Sequence, residues 1–242
     1  MTRIILQGAD INRENITLKG QDSAHVCLSL RMKAGENIII CDGDGLDAYC
    51  EITKASKDRT DCKVLELKPS PPELSVRVFI YQSLPKGDKF EFIIQKTTEL
   101  GVAGIVPVLS ERCISRPDKA SFDKKLIRYR GIAKEAAQQC GRGIIPAVSD
   151  LVDFKTAVSS LPEGDIKIFC YEKEEMNSLR YVIRDIEKGT IHVFIGAEGG
   201  YSDYEKELAD KYGLCSVTFG KRILRCETAP VFFMSAVSYE LG

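Results

Sequence analysis

The chain has 242 residues, enough for two modest domains or one large one, and its 44% hydrophobic content can fill a sizeable core. A formal net charge of -1 gives the average surface no bias toward nucleic acid, so any attraction to phosphate has to be local. Nine cysteines without a C-x-x-C step, and only His25 and His192 beside them, exclude a disulfide framework and leave no zinc pattern, so reduced thiols and no metal are expected. No apolar run suits a secretory core or a membrane span, which predicts a cytoplasmic protein.

From Met1 to about Lys68, strand-like bursts at 4–6, 38–41, 48–52 and 64–67 alternate with polar turns such as Asp42-Gly43-Asp44-Gly45. They predict a small β-rich domain over residues 1–70. The run Lys68-Pro69-Ser70-Pro71-Pro72-Glu73 follows; its three prolines lack backbone donors, which predicts a linker. Beyond it, strand-like runs at 76–81, 104–109, 166–170, 191–195 and 214–219 are interleaved with longer helical segments. That alternation predicts an α/β domain over residues 73–242, built on a mainly parallel sheet. One helix carries Phe90, Ile93, Ile94 and Thr97 on a single face, with Gly101 as its C-terminal cap. Another starts at Ser202, where Ser202 and Glu205 have capping-box spacing, and ends at Gly213.

The most informative stretch is Ile191-His-Val-Phe-Ile-Gly-Ala-Glu-Gly-Gly-Tyr-Ser-Asp-Tyr-Glu205, a strand entering a glycine-rich loop and then a capped helix. Glycines at the carboxyl end of a parallel strand let a ligand approach the backbone. The spacing matches neither a dinucleotide G-x-G-x-x-G nor a phosphate-binding G-x-x-x-x-G-K-[ST], which removes the usual support for hydride transfer and NTP hydrolysis. A second stretch, Phe219-Gly-Lys-Arg-Ile-Leu-Arg-Cys-Glu-Thr-Ala229, follows the last strand. Arg225 and Glu227 lie two apart there, so in an extended loop they share a face and can pair.

Taken together, IGAEGGYSDYE, FGKRILRCETA, QKTTELGV with Pro107 and SERC, and EAAQQCGR resemble the 16S ribosomal RNA uracil-N3 methyltransferases of the SPOUT class. HVCLSLRMKAGENIIICDGDG is similar to that family's PUA-like RNA-binding β-barrel, so the resemblance covers nearly the whole chain. Ala197 stands where the family usually has proline, and Cys140 where it usually has serine. The resemblance implies a C-terminal SPOUT-type parallel sheet tied in a deep trefoil knot, an exception to the rule against threaded loops. It implies S-adenosylmethionine held mainly by backbone groups, with Ile195, Gly196, Gly200, Phe219, Gly220, Ile223 and Leu224 at the matching positions. It also implies a homodimer, and 16S ribosomal RNA or the small ribosomal subunit as partner.

On that resemblance the reaction aligns uracil N3 with an already activated methyl group and stabilises the anion left by the imide proton. Arg225 is expected to donate to the developing charge, and Glu198 or Glu227 to take the proton or to brace the loops. RNA contact is expected where basic residues cluster. Residues 112–142 hold nine basic side chains, Arg112, Lys124, Lys125 and Arg142 among them, against three acidic ones. In the small domain Arg3, His25 and Arg31 match family positions, His25 being equally suited to a core role. Rival readings are a knotted methyltransferase with another acceptor atom and a non-catalytic RNA-binding assembly factor. A cysteine hydrolase using Cys140 or Cys226 is the weakest, since neither has a histidine partner in its motif.

Overall fold

The computed structural model describes residues 1–242. It divides into two compact units, Met1–Pro72 with Ala137–Ile145 and Glu73–Ala136 with Pro146–Gly242. No helix is long and apolar enough to cross a membrane, and all nine cysteines are free thiols.

The first unit is built on β1 (Thr2–Ile5), β2 (Asn15–Lys19), β3 (Asn37–Cys41), β4 (Leu46–Ala55) and β5 (Arg59–Pro69), ordered β1-β3-β4-β5-β2. Only the β1–β3 pair is parallel. Helix α1 (Gly20–Ala24) and a turn of π-helix (His25–Ser29) follow β2. Alternate residues of the strands, such as Ile38 and Ile40, Ala48, Cys50 and Ile52, and Ile16 and Leu18, pack into one core. Strand β2 was not foreseen, because Ile16 and Leu18 are its only apolar residues. The expected linker begins later than Lys68, since Lys68 and Pro69 pair with Asp47 and Leu46. Strand β2 reaches only as far as Lys63 on β5, so Pro69 lies on an unpaired edge where its missing N–H removes no ladder bond.

Arg3, expected among the RNA contacts, lies inside the first unit in an ion pair. Its guanidinium is buried and donates to both oxygens of the equally buried Asp47, at 2.7 and 2.6 Å. Both terminal nitrogens of the fork serve this bidentate pair, and Ser70 Oγ adds a third donor to Asp47 at 2.6 Å. Arg31 is exposed, in the left-handed region at φ 55°, and His25 is half-buried.

The second unit contains β6 (Val76–Ser83), α2 (Lys89–Glu99), β7 (Gly104–Leu109), most of α3 (Lys119–Cys140), β8 (Ala147–Val148), β9 (Val152–Asp153) and α4 (Phe154–Ser159). It continues through β10 (Ile166–Cys170), α5 (Leu179–Ile183), β11 (Gly189–Ile195), α6 (Asp203–Lys211), β12 (Cys215–Val217) and α7 (Thr228–Leu241). All strand pairs are parallel, in the order β12-β10-β11-β6-β7-β8, with β9 also on β7. The near-continuous apolar runs of β10 and β11 fit a sheet covered on both faces. Phe90, Ile93, Ile94 and Thr97 are buried on α2, as their spacing requires, and Gly101 follows at φ +89°. Strand β12 is shorter than the expected 214–219 run, because Thr218 turns away to hydrogen-bond Asn177 O at 2.8 Å.

Removing one partner of the Arg3–Asp47 pair strands a buried charge. Asp47→Ala is expected to lower unfolding stability by about 3–5 kcal/mol in denaturant titrations. A loss below about 1 kcal/mol would show that the pair is not carried as a buried charge.

Candidate active site

Strands β11, β10 and β12 lie side by side, and the loops leaving their carboxyl ends enclose a cavity of about 560 Å³. Its walls are residues 170–172, 195–201 and 217–227, without Lys221, together with Lys89 and Ala229. This is where parallel sheets present ligand sites.

The glycine loop is held at both ends. At its start the buried Gln82 amide, next to Ile195 in the β6–β11 register, donates to the carbonyls of Ile195 and Gly196 at 3.3 and 3.2 Å. At its end Tyr201 is buried, its ring 4.5 Å from that of Phe169 and 5.3 Å from that of Phe154. The capping box then forms as expected: Glu205 N donates to Ser202 Oγ at 3.2 Å, and Ser202 N to Glu205 Oε2 at 3.0 Å. Glu205 Oε1 also accepts from Glu111 N at 2.7 Å, tying the β7 exit to the same helix start. Between these anchors Gly200 N donates to Ala197 O at 3.0 Å, closing a tight turn with Gly200 at φ +62°. A Cβ on Gly200 would lie 2.7 Å from Glu172 Oε1, and one on Gly196 would lie 3.2 Å from Gly200 Cα. Gly196 therefore lets backbone pack on backbone, and Gly200 leaves room for the Glu172 carboxylate.

In the second loop Phe219 packs its ring 5.2 Å from that of Phe232, and Gly220, at φ +101°, donates its N–H to Thr218 Oγ1 at 3.2 Å. The expected Arg225–Glu227 pair does not form. Thr228 N and Ala229 N both donate to Arg225 O at 2.9 Å, so residues 225–227 already turn helically into α7. Side chains two apart on such a turn do not face each other. Instead Lys89 Nζ reaches Glu198 Oε1 at 2.8 Å and Glu227 Oε2 at 3.4 Å. Lys86 N adds a donor to Glu198 Oε1 at 3.3 Å, and the Cys226 thiol donates to Glu227 Oε2 at 3.2 Å.

Partial burial pushes the Glu198 carboxyl up, but Lys89 and backbone N–H groups outweigh it and hold it below the ordinary carboxylate range. Glu227 follows the same balance, with Cys226, a backbone N–H and Lys89 outweighing burial. The Glu198 hydrogen bond, only partly offset by desolvation, holds the Lys89 ammonium above its usual value. Burial, and then the Glu227 contact, push the Cys226 thiol up to about 12, so it is a hydrogen-bond donor here and no thiolate nucleophile.

Ile195, Gly196, Glu198, Gly200, Phe219, Gly220, Ile223, Leu224, Arg225 and Glu227 thus all line one cavity, Ile223 with its side chain largely exposed. Arg112 reaches this loop too, donating to Gly199 O at 3.1 Å. Lys124 and Lys125 are exposed on α3, while the half-buried Arg142 and the exposed Arg31 both belong to the first unit. Sequence reasoning missed Gln82, Lys89 and Glu172. Gln82 had a faint signal, a lone amide in the apolar run of β6, whereas nothing in the spacing marked Lys89.

The model of the RNA methyltransferase domain family matches residues 72–238, and that of the RNA methyltransferase PUA domain matches residues 18–65. The chain belongs to this RNA methyltransferase family. Within it, the chain is 35% identical to ribosomal RNA small subunit methyltransferase E of Bacillus subtilis (strain 168), over 93% of this chain and 90% of that one. The protein of the same name from Mesomycoplasma hyopneumoniae (strain 232) is 35% identical over 66% of this chain and 68% of its own. Among solved structures, ribosomal RNA small subunit methyltransferase E from Neisseria gonorrhoeae bound to S-adenosyl methionine superposes with a TM-score of 0.89 at 30% identity, covering 99% of this chain and 97% of that one. The fold is the family's: a PUA-like unit and an α/β unit on a parallel sheet.

Gly200→Ala tests the loop geometry. A left-handed alanine costs about 1–2 kcal/mol, so denaturant midpoints are expected to fall accordingly. Adding Glu172→Ala relieves the side-chain crowding and not the backbone strain, so the double variant is expected to stay destabilised. Full recovery would trace the cost to crowding instead.

Proposed function

We propose that this chain transfers a methyl group from S-adenosylmethionine to N3 of a uridine in the 16S ribosomal RNA of the small subunit. The observation that carries the reading is the cavity at the ends of β10, β11 and β12, which gathers backbone-rich loops, Arg225 and two carboxylates in one place. The names of the relatives and the S-adenosyl methionine bound to the Neisseria protein support it.

The residues fit such a cofactor. About 560 Å³ lies within the range of roughly 300–1,000 Å³ typical of small-molecule sites, and glycines at 196, 199, 200 and 220 expose backbone groups along the walls. Ile195, Phe219, Ile223 and Leu224 supply apolar surface, and Glu172 and Glu198 suit a ligand of net positive charge. When bound, S-adenosylmethionine supplies a methyl group activated by its positive sulfur. The protein's own part is alignment and charge. Arg225 is exposed and makes no ion pair, so its guanidinium is free to donate to the uracil carbonyl oxygens as negative charge develops. Glu198 or Glu227 accepts the N3 proton. Since N3 is occupied in a base pair, the target uridine must be unpaired or extruded.

Lys124, Lys125, Arg112, Arg142 and Arg31 are proposed to contact RNA phosphates, and residues 1–70 and 73–242 to act as the RNA-binding and methyltransferase domains. The same reading ties the loops around the cavity in a trefoil knot. It pairs two chains as a homodimer, for which the exposed apolar side chains of Ile223, Phe232 and Tyr239 offer surface. It places the enzyme in the cytoplasm.

Methyl transfer to small subunits lacking the modification, followed by nucleoside analysis, tests the function. N3-methyluridine is the expected product. A methyl group on ribose or another base would overturn the acceptor, and neither cofactor binding nor turnover would favour a non-catalytic assembly factor. Arg225→Ala is expected to slow single-turnover methylation by on the order of tens- to thousands-fold while cofactor affinity stays near wild type, with Arg225→Lys recovering part. A folded Arg225→Ala chain at the wild-type rate would remove Arg225 from the mechanism. Reversing Lys124 and Lys125 to Glu is expected to weaken RNA binding and flatten its salt dependence while cofactor affinity holds. An unchanged salt slope would refute that contact.

A further inference from the structure

The first residue of α2 reaches into a site otherwise built from the loops that follow β10, β11 and β12. Lys89 Nζ lies 2.8 Å from Glu198 Oε1, 3.4 Å from Glu227 Oε2 and 3.8 Å from Cys226 Sγ. One ammonium therefore meets both candidate proton acceptors. One carboxylate comes from the β11–α6 loop and the other from the turn entering α7. The other charged groups of the cavity, Glu172, Arg222 and Arg225, form no ion pair with this trio.

We propose that Lys89 is a positioning residue for the reaction read above, a clamp that joins the two loops through Glu198 and Glu227 and keeps both carboxylates available as proton acceptors. The proposal rests on the proposed function for its chemistry, and on the contact geometry for the clamp itself. Two carboxylates drawn to one cation cannot stay close once the cation is removed. They must then separate, dragging their loops, or share a proton, since like charges in one site raise the affinity for it. Either way an acceptor is lost near neutral pH. The sign follows from the linkage. With Lys89 present both carboxyls are held below their ordinary range and remain charged down to acidic pH. Without it their titration moves upward.

Lys89 is itself no base, because two carboxylates hold its proton in place. Its three donors can serve both carboxylates and still track small movements of either loop. Arginine at this position would keep the charge with a planar fork, and methionine would keep the length without the charge.

The test uses the full chain without added cofactor or RNA. Carboxyl carbons of isotopically labelled glutamate are followed by NMR through an acid titration, and Glu198 and Glu227 are assigned from the E198Q and E227Q variants. In the wild type both midpoints are expected below the ordinary glutamate value. In K89M at least one is expected to rise above it, and K89R is expected to restore the wild-type order. The acid limb of single-turnover methylation, measured at saturating cofactor, is then expected to move to higher pH in K89M, with the rate at neutral pH falling on the order of tenfold or more. If K89M does not fold, K89Q is read in the same way. Unchanged carboxyl midpoints in a folded Lys89 variant overturn the clamp. Shifted midpoints in a chain that never methylates RNA leave the clamp standing and overturn the reaction assigned to the site.

Discussion

The buried Gln82 amide, donating to the Ile195 and Gly196 carbonyls, fixes where β11 stops being a strand and becomes a loop. Those carbonyls sit at the end of a strand, where the ladder no longer supplies partners, and buried backbone acceptors must find donors. Because Gln82 is in register with Ile195 on the adjacent strand, the donor arrives as part of the sheet itself. The rest of the site follows from this exit. Tyr201 anchors the far end of the loop in the aromatic core, and the Ser202–Glu205 box sets the first turn of α6. The intervening residues make a compact turn, closed by the Gly200 to Ala197 hydrogen bond.

Electrostatics divides along a different line from the one that counting charges suggests. Of the basic residues between 112 and 142, several already have partners in the fold. Arg112 donates to Gly199 O, Arg116 to the carbonyls of Ser110, Glu111 and Cys113, Arg130 to Val148 O, and Arg128 pairs with Glu91. Arginine forks of this kind stitch loops together. Lys119, Lys124 and Lys125 remain exposed on α3, while Phe122, Leu126, Tyr129 and Ala133 turn the opposite stripe inward. A carbonyl partner leaves the positive charge in place and fixes where the side chain points, whereas the Arg128–Glu91 pair subtracts from the local excess. Arg3 makes the same point, since a position matching an RNA-binding family position holds a buried ion pair.

The elements easiest to read were those whose pattern is local. The runs at 104–109 and 166–170 coincide with β7 and β10, and the apolar face of α2 and the caps of α2 and α6 stand where the spacing put them. Strand β2 was invisible because a five-residue strand with two apolar residues looks like a loop. The two loops of the candidate site were legible from their glycines, and the structure brings both to one cavity. Their electrostatics was not. Two-residue spacing suggested Arg225 with Glu227, but a helical turn separates these side chains, and the partner of Glu227 lies 138 positions away at Lys89.

The sequence by itself determined the period of the strongly patterned elements, the parallel character of the second sheet, the capping box and the glycine loops. Each depends on residues a few positions apart, whose relative placement the backbone dictates. Only the tertiary structure decided which strand ends are neighbours, that Gln82 holds the glycine loop, and that Lys89 meets Glu198 and Glu227. The Gln82 and Lys89 contacts join residues more than a hundred positions apart, and the strand ends residues tens of positions apart. Their partners are chosen by how helices and loops pack onto the sheet, and no local spacing encodes that choice.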